Sequence, residues 1–590
     1  MVERESREAF GVTARRMQES GLSRRDLLKR AGALGLSATA AAGLLSACGG
    51  DADTTPASGE AGATSTGGGT PAATSQTGSG GTGGGSDAVI VQAMGLDIDE
   101  LDPHYFKSIP GYYAVCNLYE MMMDYRHNEQ EDGGLYPSQD ANGEWEFVPW
   151  LAERFEVSED QTVLTFKLRE DVKFSDGAPM TANDVKATWD RGVTGQGYAN
   201  VVMGLMGLTS PDQIVVTDDY TIEIHLEKAN PFALKMVPIN VLSIMNAKVI
   251  QEKATSADPS AHEFFSKNAA GSAPYILKSW TPGEQWELAP NPNYWNPGQL
   301  KNGGTIIKTI PSASERYNLL VRGDIDVAYD LQPKDLAELR DNPDIRLIQF
   351  PVPWPYYLGM NNTMPPFDNV KVRQAVCYAV PYKTIIDKVL YGFGQECKSP
   401  VAKGQPTSDF SFWKYDTDPA KAKQLLEEAG VSNLQFDLNI LQGRPQDEQI
   451  AVWIQSGLAE AGVQVNINKM TDAEWYDKFN NKQHPAFIGE WYSWVNDPFY
   501  QMFWNFHSTA PTNSTGYSNP QVDKLIDDGM YETDPAKREQ MSKEAQRLIV
   551  EDAPWAILYQ LNYTIAVRKN ISGFNWYPDV GTRFWKVSKA

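Results

Sequence analysis

The ionisable side chains of this chain are many, but few are spaced as a reactive or metal-binding site would be. Four carboxylates crowd one short segment, and clusters of this kind can bind calcium: Asp97, Asp99, Glu100 and Asp102. The segment lacks the central glycine and the terminal bidentate glutamate of an EF-hand loop. The histidines form no His-Glu-x-x-His motif, and no Gly-x-Ser-x-Gly motif occurs. We therefore expect no catalytic residue, no metal site and no cofactor.

Aromatic side chains are the other group with chemical potential. The chain has 16 tryptophans, and ten of them lie between Trp354 and Trp585. Two fall in one eight-residue run at 491–498, with the sequence Trp-Tyr-Ser-Trp-Val-Asn-Asp-Pro. Flat rings beside a cleft can stack on a ligand. The run is therefore a candidate binding segment, although packing in the core is an alternative for Trp491 and Trp494.

Length, charge and cysteine content narrow the class of protein. Residues 87–590 are more than one compact core usually holds, so we expect at least two lobes. A net charge of −23 repels nucleic acid and excludes it as a partner. Three cysteines remain beyond Cys48, and an odd number of cysteines cannot form a disulfide framework. A single disulfide bridge between Cys377 and Cys397 is one alternative, and free thiols are the other.

The beginning of the chain resembles an export signal. Arg24 and Arg25 precede a run of small and apolar residues at 31–47 that is too short and too rich in Ala and Gly for a membrane span. The arrangement resembles a twin-arginine signal over residues 1–47. The run ends Leu-Ser-Ala-Cys, which resembles the lipobox of bacterial lipoproteins and implies that Cys48 is acylated. Two or more acyl chains anchor a protein stably to a membrane.

The segment after Cys48 has the composition of a tether. Residues 49–86 are almost entirely Gly, Ser, Thr, Ala, Asp and Pro, so they cannot bury enough apolar surface to fold. We therefore expect residues 48–86 to link a lipid anchor to a folded body. The expected location is the cell envelope, on the extracytoplasmic (periplasmic) face of the cytoplasmic membrane.

The rest of the chain alternates between strand and helix patterns. Apolar residues at every second position predict strands at 164–168, 222–226, 436–440 and 463–467. A helix is predicted between the last two strands, over residues 445–461, and Gly462 ends it. A strand, helix and strand in this order predict a right-handed parallel crossover. Ligands bind beyond the carboxyl ends of parallel strands, so the loops after Ile440 and Ile467 are predicted cleft positions.

Several segments together resemble the landmarks of one protein family. They are residues 174–185 (FSDGAPMTANDV), 271–275 (GSAPY) with 293–295 (NYW), 320–326 (containing GDID), 361–379 (containing PF and VRQA), and 516–520 (GYSNP) with Asp523. They occur in the family's order across residues 87–590. The chain is identified as a member of the family 5 extracellular solute-binding proteins, the receptors of peptide, opine, nickel and some oligosaccharide ABC importers.

The resemblance implies an α/β fold. It implies a two-lobed clamp of the periplasmic-binding-protein type (class II, with an extra N-terminal subdomain) and a hinge between the lobes. Residues 87–348 and 554–590 would form lobe I, and residues 349–553 would form lobe II. The protein would be a monomer without enzymatic activity. It would capture a solute and deliver it to an ABC permease and its ATPase.

The resemblance leaves the ligand open. Many peptide-binding members carry a segment resembling Trp-x-Ala-Asp-Tyr-x-Asp-Pro, whose first aspartate pairs with the free amino group of the peptide. Trp494 occupies that position here. A buried ammonium without a counter-charge is costly, so an oligosaccharide stacked on the indole is the alternative to an oligopeptide. A secreted glycoside hydrolase is a third hypothesis. Such an enzyme needs a pair of carboxylates, but a chain so rich in acidic residues always offers one, so their presence does not support this hypothesis.

The predicted ligand contacts come from two segments that the resemblance places near the cleft. They are Trp354, Tyr357, Asn361, Trp491, Tyr492, Trp494 and Asn496.

Overall fold

The computed structural model describes residues 87–106 and 108–590. The predicted signal with Arg24 and Arg25, the lipidation site Cys48 and the tether to residue 86 lie outside the described residues. Across the described part of the chain, none of the helices combines the length and the apolar character needed to cross a membrane.

Strands and helices alternate along the chain. Within the described residues the strands are β1 Ile90–Met94, β2 Met123–Tyr125, β3 His127–Glu129, β4 Leu135–Pro137, β5 Phe147–Pro149, β6 Ala152–Val157, β7 Val163–Leu168, β8 Ile214–Asp218, β9 Thr221–His225, β10 Tyr275–Thr281, β11 Gln285–Pro290, β12 Thr305–Thr309, β13 Val327–Ala328, β14 Ile345–Phe350, β15 Pro355–Met360, β16 Gly394–Gln395, β17 Gln435–Leu441, β18 Gln464–Met470, β19 Ala486–Glu490, β20 Trp555–Leu561, β21 Tyr563–Arg568, β22 Ile571–Ser572 and β23 Ser588–Lys589. The helices of the same residues are α1 Ile109–Leu118, α2 Ala182–Thr194, α3 Tyr198–Met206, α4 Ala233–Met236, α5 Ala247–Lys253, α6 His262–Phe265, α7 Ala313–Arg322, α8 Pro333–Leu339, α9 Val370–Ala379, α10 Tyr382–Lys388, α11 Pro419–Glu428, α12 Pro445–Glu460, α13 Asp472–Asn480, α14 Pro498–Phe506, α15 Pro520–Tyr531 and α16 Pro535–Asp552.

Two mixed sheets form the centres of the two lobes. The first has the order β10-β11-β12-β1-β13-β21-β14, and β1 runs parallel to β12 and β13. The second has the order β16-β20-β15-β19-β17-β18, and β17 runs parallel to β18 and β19. A separate antiparallel sheet, β6-β7-β9-β8, contains the alternating strand predicted at 164–168, in which every second residue is buried. The α/β two-lobed clamp is thus confirmed.

The predicted strand, helix and strand unit is β17, α12 and β18. The two strands are parallel, with Leu438 paired to Ile467. The alternating apolar residues of β17 are buried; of the residues between them, Asp437 is exposed and Asn439 is buried. Amphipathic alternation therefore identified both strands, because one face of this edge of the sheet is covered by α12.

Between residues 108 and 590, the chain passes between the two main sheets twice. It leaves the first sheet at Phe350 and enters the second at Pro355, and it returns between Leu561 and Tyr563. Because β20 pairs with β15 and β16, it belongs to the second sheet. We propose that these two crossings are the hinge. The boundary at which the chain returns to lobe I then lies at residue 562 and not at residue 554, where the sequence had placed it.

The three described cysteines are free and buried, so the bridge between Cys377 and Cys397 is not formed. Burial raises the pKa of the Cys116 and Cys397 thiols to about 12. The Cys377 thiol donates to the carbonyl of Trp555, at 3.6 Å. All three act as small core residues.

The four acidic residues near residue 100 do not all point to one place. Glu100 and Asp102 meet at His262, each with an oxygen 3.1 Å from its Nδ1, and the ligand atoms of these three residues lie within 4.8 Å of one another. Asp97 accepts hydrogen bonds from the Trp280 indole and from the hairpin backbone at Gly283. Asp102 is buried and is paired with Arg191 and His262. The carboxylates of this segment therefore orient different parts of the first lobe.

The first lobe is organised around the buried carboxylate of Glu120. It accepts hydrogen bonds from the Ser272 hydroxyl at 2.7 Å and the Trp150 indole at 2.8 Å. The Tyr294 hydroxyl and the Trp295 indole donate to it as well, each at 3.3 Å. Three of these four donors belong to the family landmarks at 271–275 and 293–295. Burial raises the pKa of Glu120 to about 7, and the four donors oppose that rise.

We predict that Glu120 makes the stability of the protein depend on pH. Because its pKa is raised on folding, its contribution to stability is full below about pH 4.5 and is lost as the pH rises towards 7. The loss is on the order of 3 kcal/mol. Glu120→Gln has no such titration, so the difference in free energy of unfolding between wild type and variant should change by this amount between pH 4.5 and pH 8. Denaturant unfolding at both pH values measures it, and a constant difference would contradict the prediction.

Candidate functional site

A cavity of about 300 Å³ lies between the two main sheets. On the side of the first lobe it is lined by residues that follow β1 and β13, and on the side of the second by residues that follow β17 and end β19. The hinge residues Leu561, Asn562 and Tyr563 close one end. The cavity therefore lies at the carboxyl ends of parallel strands in both sheets, where open α/β folds bind their ligands.

The wall from the first lobe carries the carboxylate of Asp330. The residue has a left-handed φ of 53°. Its loop is held by the buried guanidinium of Arg316, which donates to the carbonyls of Tyr329 and Asp330 at 2.9 and 2.6 Å. The surrounding protein raises the pKa of Asp330, and Arg316 partly offsets that effect. The loop backbone that carries this carboxylate is therefore fixed, and the side chain itself is largely exposed.

The wall from the second lobe carries three charged side chains. Arg444 lies 2.8 Å from an oxygen of Glu490, and the indole of Trp354 donates to the other oxygen at 3.1 Å. Asp447, in the first turn of α12, lies 4.0 Å from Arg444. Glu490 keeps the pKa of Arg444 above its usual value, whereas burial raises the pKa of Asp447 to about 7. The walls together thus present charges of both signs.

The predicted aromatic run lies between the lobes. The ring of Tyr492 is 4.9 Å from that of Trp354, which lines the cavity. Trp494 packs edge-on against Tyr112 and Tyr198 of the first lobe, with ring centroids 5.7 and 6.1 Å apart. These aromatic contacts join the lobes in the arrangement described here.

Asn496, from the same run, also joins the lobes. Its side-chain amide donates to the carbonyl of Gly143 across the interface, at 2.6 Å.

Three predicted contact residues lie within the second lobe instead. Tyr357 is buried and stacks on Trp555 with ring centroids 3.5 Å apart. The side-chain amide of Asn361 donates to the carbonyls at 482 and 484. Trp491 stacks on Trp504. Tyr357 and Asn361 thus contact other residues of the second lobe, and neither lines the cavity, so their role as ligand contacts stays a prediction.

The sequence did not single out the charged residues of the cavity. Arg444 and Asp447 follow β17, so the predicted cleft loop after Ile440 does line the cavity. No sequence pattern marks Asp330 or Glu490 as a ligand-binding residue, because the chain has 75 acidic residues and nothing in the sequence distinguishes these two. Tyr356, which also lines the cavity, is the neighbour of the residue that we predicted.

A buried charge network connects the lobes beside the aromatic run. Asp497 accepts two hydrogen bonds of 2.8 Å from Arg538 and one of 3.1 Å from Lys235, which also pairs with Glu144 at 2.7 Å. Asp497 accepts a further hydrogen bond from the backbone of Phe499 and so caps α14. Burial alone would raise the pKa of Asp497, but Arg538 and Lys235 hold it at about 2.

We predict that Asp497→Asn lowers the free energy of unfolding by about 3 kcal/mol, because it leaves the largely buried guanidinium of Arg538 without a counter-charge. The matched control is Asp528→Asn, which breaks an exposed pair with Lys524 on α15 and should cost about 0.5 kcal/mol or less. Denaturant unfolding measures both. Equal effects of the two substitutions would contradict the prediction.

Comparisons with known proteins agree with the described fold. The sequence profile described as bacterial extracellular solute-binding proteins, family 5 Middle, matches residues 146–513. The chain is 29% identical over 497 residues to the probable D,D-dipeptide-binding periplasmic protein DdpA of Escherichia coli K12, covering 83% of this chain and 92% of that protein. It is 28% identical over 435 residues to heme-binding protein A of Haemophilus influenzae, covering 70% and 79%.

Solved structures share the two-lobed architecture. The periplasmic binding protein DppA of Helicobacter pylori, in complex with the peptide STSA, superposes with a TM-score of 0.72 at 23% identity, over 85% of this chain and 98% of that one. The oligopeptide-binding protein AppA of Bacillus subtilis, in complex with a nonapeptide, does so with a TM-score of 0.72 at 22% identity, over 86% and 100%. Since the family profile spans more than half of the sequence, the chain belongs to the bacterial extracellular solute-binding proteins of family 5.

Proposed function

We propose that this protein is the non-catalytic, extracytoplasmic receptor of an ABC importer, and that it binds a short peptide between its lobes for delivery to the permease. The observation that carries the proposal is the cavity between the sheets, where Asp330 and Glu490 supply negative charge and Arg444 supplies positive charge. A peptide is a zwitterion, so a site with both signs suits it. Relatives named for dipeptide and glutathione binding support the same class of ligand.

The size of the cavity favours a short peptide. Its volume of about 300 Å³ is at the lower end of the range of about 300 to 1,000 Å³ for ligand pockets. Aromatic rings of Trp354, Tyr356 and Tyr563 form much of the apolar wall. A peptide of two or three residues would contact both lobes at once and so stabilise their closed arrangement.

The saccharide alternative loses its basis at Trp494. That alternative required an indole face open to a sugar ring, whereas the indole of Trp494 packs against Tyr112 and Tyr198. The hydrolase alternative required two carboxylates free for acid and base chemistry. Glu490 is instead paired with Arg444 and Trp354, which suits binding.

The export and anchoring of the receptor are part of the same proposal. A twin-arginine signal with Arg24 and Arg25 and an acylated Cys48 would hold a monomeric receptor near its permease. The periplasmic relative of Escherichia coli supports an extracytoplasmic location.

We predict that unmodified dipeptides and tripeptides raise the melting temperature of the protein, because a ligand selective for the folded form stabilises it. A thermal-shift screen of L,L-dipeptides, D,D-dipeptides, tripeptides and β-linked oligosaccharides tests this, followed by mass spectrometry of the recovered ligand. The expected result is a shift with peptides only and an intact ligand. A shift with sugars alone, or steady release of cleaved product, would refute the receptor proposal.

We predict that Trp494→Ala weakens peptide binding at least about tenfold, equivalent to about 1.4 kcal/mol, with little change in melting temperature. The indole contacts Tyr112 and Tyr198 across the interface, so its removal disfavours the closed arrangement more than the fold of either lobe. Trp453→Ala, on the outer face of α12, is the control and should bind normally. Calorimetry that finds equal affinity for wild type and Trp494→Ala would remove Trp494 from the site.

A further inference from the structure

The carboxylates that line the cavity differ in how close their nearest cation lies. Glu490 is paired with Arg444 and accepts a hydrogen bond from Trp354. Asp447 lies near the same guanidinium and is shielded from solvent. One arginine therefore lies within 4.0 Å of both carboxylates of the second lobe.

Asp330 is the carboxylate without a close partner. Among the residues that the structure describes, none donates a hydrogen bond to its side chain, and its nearest cation is a nitrogen of Arg316 at 3.9 Å. Arg316 already donates to four backbone carbonyls: those of Ile310, Pro311, Tyr329 and Asp330. Its charge therefore fixes the loop, and the carboxylate of Asp330 stays available to the cavity.

The backbone that carries this carboxylate is held in place by contacts within the first lobe, while the side chain is 74% exposed. Its residue has a positive φ, and both its own carbonyl and that of Tyr329 are bound by the buried Arg316. A loop fixed at two successive carbonyls loses little conformational entropy on binding. An anion carried on a fixed loop suits a compact cation with several N–H donors, which is what a primary ammonium offers.

We propose that Asp330 is the acceptor for the free amino group of the peptide. The proposal rests on the proposed function and names the chemistry that selects the ligand: a primary ammonium, contributed by an unblocked amino terminus. In this chain Trp494, from the second lobe, fills the position where the resemblance would place an amine-binding aspartate. The counter-charge therefore comes from the opposite wall, on the first lobe.

The arrangement also couples amine binding to closure. Asp330 belongs to the first lobe and Glu490 to the second, and both line one cavity. Burial raises the pKa of Asp330, and the negative charge of Glu490 adds to that rise. An ammonium between the walls offsets this repulsion between like charges. Closure is then favoured by ligands that carry the positive group.

The test compares a peptide pool with its acetylated form. An equimolar pool of lysine-free tripeptides is divided, and one half is treated with acetic anhydride, which removes the charge of the amino terminus. Each half is incubated with wild type, Asp330→Asn or Asp341→Asn, and the bound peptides are quantified by mass spectrometry after gel filtration. Asp341 is an exposed aspartate of the same lobe outside the cavity, so its variant is the matched control.

Wild type and Asp341→Asn should retain the free-amine pool at least about tenfold better than the acetylated pool, because a hydrogen bond to a charged group contributes about 1.5 to 3 kcal/mol. Asp330→Asn should lose that preference, whereas Asp330→Glu should keep part of it. Asparagine tolerates a left-handed φ, so Asp330→Asn should melt at the wild-type temperature.

Equal retention of the two pools by wild type, or an undiminished preference in Asp330→Asn, would overturn the role of Asp330 while leaving the peptide receptor in place. If wild type retained neither pool, the proposed function itself would fail, and the role of Asp330 with it.

Discussion

The two main sheets are connected by only two short crossings within the described residues, and the properties of the molecule depend on that constraint. The crossings run side by side: the backbone of Leu561 donates to the carbonyl of Trp354, and the side chain of Gln560 donates to that of Val352. The hinge is therefore a narrow ribbon. Trp354 lies in this ribbon and also lines the cavity. We propose that a molecule bound in the cavity touches the segment about which the lobes move, which would couple binding to closure.

The fold was predictable because its signals are periodic or belong to the family. Alternation identified β7, β17 and β18, and the parallel unit followed from its helix. The site was harder, because it depends on the direction of single side chains. Successive residues of a strand point to opposite faces, so Tyr356 lines the cavity while Tyr357, which we had predicted, stacks inside the lobe. Asp330 and Glu490 reach the cavity only because distant segments meet there, and no local pattern marks them.

The landmarks that identify the family turn out to serve the architecture. Ser272, Tyr294 and Trp295 donate to the buried Glu120. Thr181 and Asp184 form the capping box that begins α2. None of these residues lines the cavity between the lobes. Residues that maintain the fold and residues that select the ligand are therefore largely separate sets, which explains why a sequence can reveal its family clearly and its ligand poorly.

The charge network at Asp497 has a consequence for the release of a bound ligand under the proposed function. Glu144 and Lys235 come from the first lobe, and Asp497 and Arg538 come from the second. If the lobes separate, only the contact between Lys235 and Asp497 is broken, and each half keeps a neutral pair. Separation of the lobes therefore leaves no buried charge of this network without a partner, so the electrostatic cost of ligand release is small. Under the proposed function, the same four side chains that align the halves would permit a readily reversible cycle of capture and discharge.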